Sequence, residues 1–442
     1  MAEIFPFAGY RYDARRVAFE SVLTQPYDKI TPAMQERYYA ASPYNLIAVE
    51  KGRTLASDTP ANNVYTRAAA KLDEWIAEGI LVKDSAPAIY AYSQEFTVPK
   101  TATRRVRRGF IALGRVEDYE KRVVFRHERT LAAPKADRIE LLRHTRTQTG
   151  QLFMLYDDTT GRVDEMLIGA SRQPAPIEMR DEYDVLHRVW PVTDAALIQR
   201  ITTAMADKPL VVADGHHRYE TALAYRDECR ARAGGPDACA PYEKAMMTFV
   251  SARSQGLLIL PTHRVVRNVE GFSIDRLCKE LSNLFDWYGY PFTNDEERAA
   301  SYADFRKDLE GRRERHAIGI YAGGSAFYLF LLRKDADLDS LLPDLSPAQR
   351  QLDVVLLHRL MLEKGLGITA EAVAAEKHIT YEREMDAAVA TVDRGEAQLV
   401  CLLNPVSVSQ VLEIALAGDV LPQKSTDFYP KLLSGLVVYR LE

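Results

Sequence analysis

The sequence predicts an α/β fold (α+β) whose core is a small mixed sheet with flanking helices, between an N-terminal extension and an α/β C-terminal region. The chain has 442 residues, of which 47% are hydrophobic and 27% charged, so it can bury substantial cores. Two runs of β-branched and aromatic residues lie on either side of residues 99–103, the pattern of a long antiparallel hairpin. The short apolar run 210–213 precedes a polar turn and a helical pattern, which is typical of a buried strand that leads into a helix.

The elements of the first half follow from local patterns. Apolar residues at helical spacing predict a helix over residues 65–75, which Gly79 ends. Residues 88–98 and 105–116 predict the two strands of the hairpin, and residues 151–156 predict a further strand.

The middle of the chain contains a helix and then a loop. Asp194 is placed as the N-cap of that helix, and residues 231–241 are rich in glycine and proline, which indicates the loop. We therefore divide the chain shortly after it. Residues 1–245 are predicted to form an N-terminal α/β catalytic domain, and residues 246–442 a C-terminal α/β domain.

The C-terminal region shows the same mixture of helices and strands. Helical spacing predicts helices over residues 274–284 and 348–363, the second capped by Gly365. A hairpin across residues 323–324 and a strand over residues 398–403 complete an α/β pattern.

Composition excludes several classes of protein. A net charge of -5 and a pI near 6.1 argue against a protein whose whole surface binds nucleic acid. One basic run, Arg104-Arg105 and Arg107-Arg108, is interpreted as a solvated strand face. No two cysteines form a C-x-x-C pair, no apolar run approaches the roughly 20 residues of a membrane span, and no signal-peptide pattern is visible. The sequence predicts a cytoplasmic protein with neither nucleic-acid nor membrane partners, and a homodimer is compatible with it.

The segment Asp214-Gly215-His216-His217-Arg218 is the strongest candidate site. A strand that passes through a turn into a helix points the first N–H groups and the positive dipole end of the helix into the turn, where they attract phosphate. Arg218 can hold a phosphate with two hydrogen bonds, and Gly215 lets the backbone approach a ligand closely. The alternative is a surface loop in which His216 bonds a carbonyl and Arg218 pairs with the glutamate two residues later. The residues alone support a phosphate site or a metal site.

The chain resembles the domain-of-unknown-function family 1015, and the likeness runs nearly end to end. The resemblance rests on Pro26-Tyr27-Asp28, Arg126-His127-Glu128-Arg129-Thr130, Lys135 with Asp137-Arg138, residues 213–222, Leu260-Pro261-Thr262-His263-Arg264, and Gln423-Lys424-Ser425-Thr426.

The middle of the chain is similar, more distantly, to the free-serine kinases of the ParB and sulfiredoxin superfamily. Those kinases carry a His-Glu motif before an Asp-Gly-His-His-Arg motif, which His127-Glu128 and residues 214–218 match. The resemblance implies a ParB/sulfiredoxin-like mixed-sheet core. It also implies that Glu128 is the catalytic base, that His127 and Asp214 belong to the catalytic set, and that the second motif binds phosphates. Arg126 stands where the kinases have a proline, and the two motifs are further apart here.

The implied function is that of a kinase acting on a small hydroxyl substrate, free L-serine, with ATP or ADP as donor, or running in reverse on O-phosphoserine. Phosphoryl transfer needs a carboxylate for the alcohol proton, cations on the phosphate oxygens and usually Mg²⁺. Asp214 is predicted to hold the Mg²⁺, directly or through water. The segment of residues 423–431 is dense in hydrogen-bond donors and is predicted to reach the same cleft, where Lys424, Ser425, Thr426 and Lys431 would bind cofactor or a second anion; the alternative is a solvated loop.

Two other functions stay open. A metal-dependent hydrolase would hold zinc or manganese through imidazole and carboxylate ligands. Those ligands would be Asp214, His216, His217 and Glu128. A nucleotide-gated binding protein related to ParB-type CTP switches would instead change its oligomeric state or partner affinity with nucleotide. Locally, Glu128 could form a salt bridge with Arg126 or Arg129.

Overall fold

The computed structural model describes residues 2–128 and 132–442, with the backbone alone at residues 132–134 and 374. The chain forms two compact units. The first unit comprises Met1–Arg126, Thr130–Leu257 and Pro430–Glu442, and the second comprises His127–Arg129 and Leu258–Tyr429. In the described part of the chain, no helix is both long enough and apolar enough to span a membrane.

The described strands and helices are numbered in chain order. The strands are β1 (Ile4–Phe5), β2 (Tyr10–Tyr12), β3 (Leu81–Lys83), β4 (Ile89–Thr97), β5 (Arg104–Arg115), β6 (Val124–Arg126), β7 (Thr147–Gln148), β8 (Leu152–Tyr156), β9 (Ile177–Arg180), β10 (Leu186–Val192), β11 (Leu210–Asp214), β12 (Lys244–Ser251), β13 (Leu258–Leu260), β14 (His263–Val266), β15 (Phe285–Pro291), β16 (Ala317–Tyr321), β17 (Ala326–Leu332), β18 (Ile379–Glu382), β19 (Leu399–Leu403), β20 (Asp427–Tyr429) and β21 (Tyr439–Arg440). The α-helices are α1 (Phe19–Val22), α2 (Pro32–Ala41), α3 (Ile47–Glu50), α4 (Val64–Ala77), α5 (Ala132–Thr145), α6 (Arg162–Ala170), α7 (Ala195–Met205), α8 (His216–Ala233), α9 (Ile274–Leu281), α10 (Asp295–Gly311), α11 (Leu338–Leu341), α12 (Pro347–Arg350), α13 (Asp353–Leu356), α14 (Ala370–Ala374), α15 (Met385–Asp393) and α16 (Val408–Ala417). Short 3₁₀ helices cover Tyr27–Lys29, Tyr119–Lys121, Pro241–Glu243 and Arg313–Arg315, and a π-helix covers Leu357–Gly365.

Within the described residues, the first unit is built on a nine-stranded mixed sheet in the order β6-β11-β8-β12-β5-β4-β10-β9, with β1 paired to β5. β11 runs parallel to β6 and antiparallel to β8, and β12 runs parallel to β8. The other described pairs of this sheet are antiparallel. The predicted fold class, α/β with a mixed sheet, is confirmed, and the sheet is larger than the small one that local patterns indicated.

The centre of this sheet is apolar. Every residue of β8 is buried, and Phe110 of β5 stacks on Phe249 of β12 with ring centroids 5.0 Å apart. Removal of such large apolar side chains from water is the main favourable contribution to folding. The predicted strand over 151–156 and the predicted hairpin are confirmed, because β8, β4 and β5 each lie within one residue of their predicted ends.

The helices of the first unit begin at capping side chains. Asn63 and Thr66 form a reciprocal capping box at the start of α4, which ends before Gly79, a residue with φ +68°. The Asp194 carboxylate accepts a hydrogen bond from the backbone N–H of Ala196 at the start of α7. The predicted helices at both places are confirmed.

Over its own described residues, the second unit contains a six-stranded antiparallel sheet in the order β15-β17-β16-β19-β14-β18 and a separate ribbon of β13 and β20. Its core joins Phe305 of α10, Phe327 of β17 and Leu402 of β19. β16 and β17 form the predicted hairpin across residues 323–324, and β19 confirms the predicted strand over residues 398–403.

The predicted continuous helix over residues 348–363 is wrong. Ser346 caps the short α12, and Leu352 then takes an extended backbone before α13 and the π-helix follow. The Leu352 side chain is buried, so apolar spacing continues across the break and hides it from a periodicity argument. The glycine with a left-handed backbone after the π-helix is Gly367, at φ +69°, rather than Gly365.

The units differ from the predicted division at residues 245 and 246, which treated each domain as one continuous stretch. β12 lies in the middle of the first unit's sheet, so that unit continues to Leu257. The end of the chain also returns to the first unit, where β21 pairs with β7 and Val438 pairs with Tyr10. Pairing between such distant segments leaves no local pattern in a sequence.

Candidate functional site

The turn between β11 and α8 places a helix N-terminus at the end of a central strand. β11 is buried up to Ala213, and Gly215 then adopts φ +92°, a backbone that disfavours any residue with a Cβ. α8 starts at His216, so the first N–H groups of an 18-residue helix open into the turn. Those N–H groups and the positive end of the helix dipole attract an anion.

A lysine from the end of the chain lies at this turn. The Nζ of Lys431 donates a hydrogen bond to Oδ2 of Asp214 at 2.7 Å, and the two side chains are 12% and 26% exposed. Burial raises the pKa of Asp214, but the charges of Lys431 and Arg218, with a further contribution from Lys29, outweigh it. The pKa of Asp214 is therefore held well below its usual range, and one ionised carboxylate is surrounded by three cations.

Arg218 lies on the first turn of α8. Its Nη1 donates to the backbone carbonyl of Gln151 at 2.6 Å. Its Nε is buried and, among the described residues, has no hydrogen-bond acceptor. A buried guanidinium N–H without an acceptor is costly unless a ligand supplies one. This donor is an observation, independent of the helix dipole, that points to an anionic ligand.

The backbone that carries Lys431 is fixed by a buried arginine. Arg107 of β5 is 1% exposed, and its guanidinium donates to the carbonyl of Pro430. The Nε2 of Gln94 donates to the carbonyl of Lys431 at 2.8 Å. Burial lowers the pKa of Arg107 to about 10, with opposing contributions from Tyr92 and Asp214. The interpretation of this basic run as a solvated strand face is therefore wrong at Arg107, whose side chain points into the unit.

Both histidines of the motif lie on the first turn of α8. His216 is buried and His217 is partly buried. Glu220, the neighbouring glutamate, pairs with Arg126 at 3.3 Å and approaches Lys135 at 3.9 Å. The local alternative of a salt bridge between Arg218 and Glu220 is thus not what the structure shows.

The surroundings of Asp214 do not fit Mg²⁺. Its carboxylate is engaged by an ammonium group, and the cations around it would repel a divalent ion. Across residues 2–128 and 132–442, no group of three or more His, Cys, Asp or Glu side chains is arranged to hold a metal. The transition-metal hydrolase therefore gains no support from geometry, and no catalytic step is assigned to a metal here.

The second unit holds the His-Glu motif. The carbonyl of His127 accepts from the N–H of Leu421 at 2.8 Å, and the Oε1 of Glu128 accepts from the N–H of Lys424 at 3.2 Å. His127 Nε2 and Thr426 Oγ1 share a hydrogen bond of 2.9 Å. The His-Glu motif and the loop of residues 423–426 are therefore in direct contact.

The loop of residues 423–426 has a constrained backbone. Lys424 adopts φ +55°, which is uncommon for a residue with a side chain, and Ser425 Oγ donates to the carbonyl of Pro422 at 2.5 Å. The alternative in which Arg129 pairs with Glu128 lies outside the described residues, as does Thr130.

A buried arginine supports this loop from β14. Arg264 donates from Nη2 to the carbonyl of Gln423 at 3.3 Å and from Nε to His358 Nε2 at 3.2 Å. Burial lowers the pKa of Arg264 to about 10, against contributions from Tyr381, Cys401 and Glu128. Burial and the charge of Arg264 lower the pKa of His358 to about 3, so His358 is a neutral acceptor.

Sequence reasoning missed two of the residues that define these sites. Lys29 directly follows the Pro26-Tyr27-Asp28 turn on which the family resemblance rests, and that adjacency is the signal that could have indicated it. Lys431, by contrast, stands in the donor-rich segment of residues 423–431 that is predicted to reach the cleft. Arg107 carried no usable signal, because its role depends on Pro430, a residue 323 positions away.

The chain is similar to one protein family and, distantly, to several solved structures. A family profile described as "Protein of unknown function (DUF1015)" matches residues 4–355. No curated protein is significantly similar to the chain. Among solved structures, a mutant free serine kinase in complex with ADP is 12% identical with a TM-score of 0.36, covering 77% of this chain and 98% of that one.

Two further solved structures show a likeness of similar size. A conserved hypothetical protein from Pyrococcus furiosus is 12% identical with a TM-score of 0.33, over 71% of this chain and 92% of its own. SbnI with a C-terminal truncation, from Staphylococcus aureus, is 12% identical with a TM-score of 0.34, over 74% of this chain and 87% of its own.

Proposed function

The chain belongs to the DUF1015 family, and we propose that it is a phosphotransferase that moves the terminal phosphoryl group of ADP or ATP to the hydroxyl of free L-serine, or catalyses the reverse reaction on O-phosphoserine. The observation that carries this proposal is the turn at the start of α8. There, a helix N-terminus, three cations and one ionised carboxylate meet at the end of a central strand.

The charges at this turn suit a chain of phosphates. The charges of Lys431, Arg218 and Lys29 all lower the pKa of Asp214, and the phosphates of a nucleotide are anions that such a cationic environment attracts. Arg218 offers a buried N–H without an acceptor among the described residues, and guanidinium groups bind phosphate with paired hydrogen bonds. The role of Asp214 in this proposal is to hold Lys431 in place.

Glu128 is proposed as the general base. In the forward reaction, its carboxylate takes the proton of the serine hydroxyl while the oxygen forms a bond to phosphorus. The bond between that phosphorus and the bridging oxygen breaks, and the nucleotide leaves with one phosphate fewer. The backbone N–H of Lys424 holds one carboxylate oxygen of Glu128, which fixes the position of the side chain.

The proposal is tested by mass spectrometry of serine incubated with the full chain and either ADP or ATP. We expect O-phosphoserine with at least one nucleotide. Glu128→Gln should abolish product, whereas Glu120→Gln, at an exposed position, should not. Arg218→Met should weaken nucleotide binding measured by calorimetry, with Arg232→Met on the exposed face of the same helix as its control. The proposal fails if neither nucleotide gives O-phosphoserine and if O-phosphoserine with AMP or ADP gives no nucleotide product.

A further inference from the structure

A small pocket lies beside the α8 turn, entirely within the first unit. Its polar lining includes Glu50, Arg138, Thr149, Arg218 and Thr221, and its apolar lining includes Leu141, Leu142, Leu152, Ala222 and Ala245. Its volume is about 60 Å³. Since one water needs about 10–15 Å³ on this measure, the pocket has room for about four to six waters, which corresponds to a ligand of few heavy atoms.

Glu50 places a carboxylate in this pocket. The residue ends α3 and is 2% exposed. Its Oε2 accepts a hydrogen bond from the hydroxyl of Thr149. Among the described residues, no lysine or arginine forms a salt bridge with this carboxylate, although the guanidinium group of Arg218 lines the same pocket. The carboxylate can accept hydrogen bonds from the ammonium group of a ligand.

Two guanidinium groups line the same pocket. Arg138 donates from Nη1 to the backbone carbonyl of Glu50 at 2.9 Å, and its guanidinium stacks over the ring of Tyr27 at 4.2 Å. Arg218 contributes the buried Nε described above. The pocket therefore presents one carboxylate and two guanidinium groups, of which that of Arg138 is also ion-paired with Asp137.

Gly150 leaves a space between the guanidinium group of Arg218 and the carboxylate of Glu50. A Cβ at this position would lie 2.7 Å from Nη1 of Arg218 and 3.5 Å from Oε1 of Glu50. Any side chain would therefore fill the space between the guanidinium and the carboxylate. Gly150 has an ordinary backbone conformation, so the space it leaves is the feature that requires glycine here.

We propose that this pocket binds a free α-amino acid as a zwitterion, with its ammonium group on the Glu50 carboxylate and its carboxylate on the guanidinium groups of Arg138 and Arg218. The inference rests on the proposed function in one respect, since it identifies the bound amino acid as the phosphoryl acceptor. Arg218 also lies on the α8 turn, so the acceptor and the phosphates would share one residue. The pocket volume restricts the acceptor to a short side chain, which serine has.

The test uses calorimetry on the full chain with L-serine, 3-hydroxypropionate and ethanolamine. The second compound lacks the ammonium group and the third lacks the carboxylate. We expect the wild-type protein to bind L-serine more tightly than either analogue. Glu50→Gln should weaken L-serine binding by about 30-fold or more, since a buried charge loses its partner, while binding of 3-hydroxypropionate changes little. Glu36→Gln, at an exposed glutamate, is the matched control.

The outcomes separate this inference from the proposed function. If wild-type protein binds serine no better than 3-hydroxypropionate, the ammonium subsite is refuted, and this measurement needs no variant to fold. If O-phosphoserine forms but folded Glu50→Gln keeps wild-type serine affinity, the pocket assignment is refuted and the phosphotransferase stands. If serine binds in a Glu50-dependent way and no phosphoryl transfer occurs, the pocket assignment stands and the proposed function fails.

Discussion

Replacing Asp214 with asparagine separates the ion pair of the α8 turn from the rest of the site. The change keeps the size of the side chain but leaves Lys431 without its carboxylate. Breaking a buried ion pair costs about 3–5 kcal/mol, whereas an exposed pair contributes about 0–1 kcal/mol. The two side chains are 26% and 12% exposed, so we expect the free energy of unfolding of the first unit to fall by about 2–3 kcal/mol.

The assay is thermal and chemical denaturation of Asp214→Asn, Lys431→Met and the double variant. A loss of this size should lower the melting temperature of the first unit by about 5–10 °C. The double-mutant cycle measures the coupling energy of the pair. If the two side chains interact, the double variant loses less free energy of unfolding than the two single variants lose in sum. A coupling energy below about 0.5 kcal/mol would refute the ion pair as a structural element of the turn.

The Asp214→Asn variant also tests how the stability of the first unit depends on pH. The folded-state pKa of Asp214 is depressed, so the pair's contribution is complete above the unfolded-state carboxyl pKa of about 3.9 and is lost as the pH falls through the lower folded-state value. The stability difference between wild type and Asp214→Asn should be constant from about pH 8 to about pH 5 and should shrink below about pH 4. A difference that grows on acidification contradicts the assigned charge state.

Three other changes test separate features. Gly215 has φ +92°, so Gly215→Ala should lower the free energy of unfolding in urea by about 1–2 kcal/mol and should weaken ADP binding in calorimetry. An unchanged urea midpoint would contradict the backbone strain expected of alanine at this position. Arg264→Met should lower the free energy of unfolding of the second unit by about 3 kcal/mol in the same urea assay, because the carbonyl of Gln423 and the ring of His358 lose a charged donor. His358→Gln keeps a hydrogen-bond acceptor for Arg264, so it should lower that free energy by less. The thiol of Cys401 is buried and its pKa is raised to about 12, so iodoacetamide at pH 8 should modify exposed Cys239 first, and mass spectrometry of the labelled peptides decides the order.

Local chemistry predicts those elements whose start and end signals lie within a few residues. The Asp194 side chain accepts backbone N–H groups at the start of α7, and the glycine after α4 and the polar turn after β11 mark where those elements end. The break at Leu352 escapes such reasoning because a buried leucine fits the apolar spacing of a helix whether or not its backbone is helical.

Sequence reasoning locates parts of each candidate site without showing which residues meet. The 214–218 turn is recognisable as a candidate anion site, but the pairing of Asp214 with Lys431, 217 residues further along the chain, leaves no local signal. Likewise, Arg107 reads as a solvated residue, since a strand position next to three other arginines gives no sign of the buried carbonyl that it serves. Charge partners of this kind are set by tertiary pairing, which local spacing does not encode.

The return of Pro430–Glu442 to the first unit has a consequence for how the protein is made. On the ribosome, Asp214 emerges long before Lys431, and β7 emerges long before β21, the strand with which it pairs. Closing so long a loop delays the native contacts that depend on it. A nascent chain therefore carries the 214–218 motif long before Lys431 is made, and a protein that ended at Pro430 would retain the motif without the lysine that pairs with Asp214.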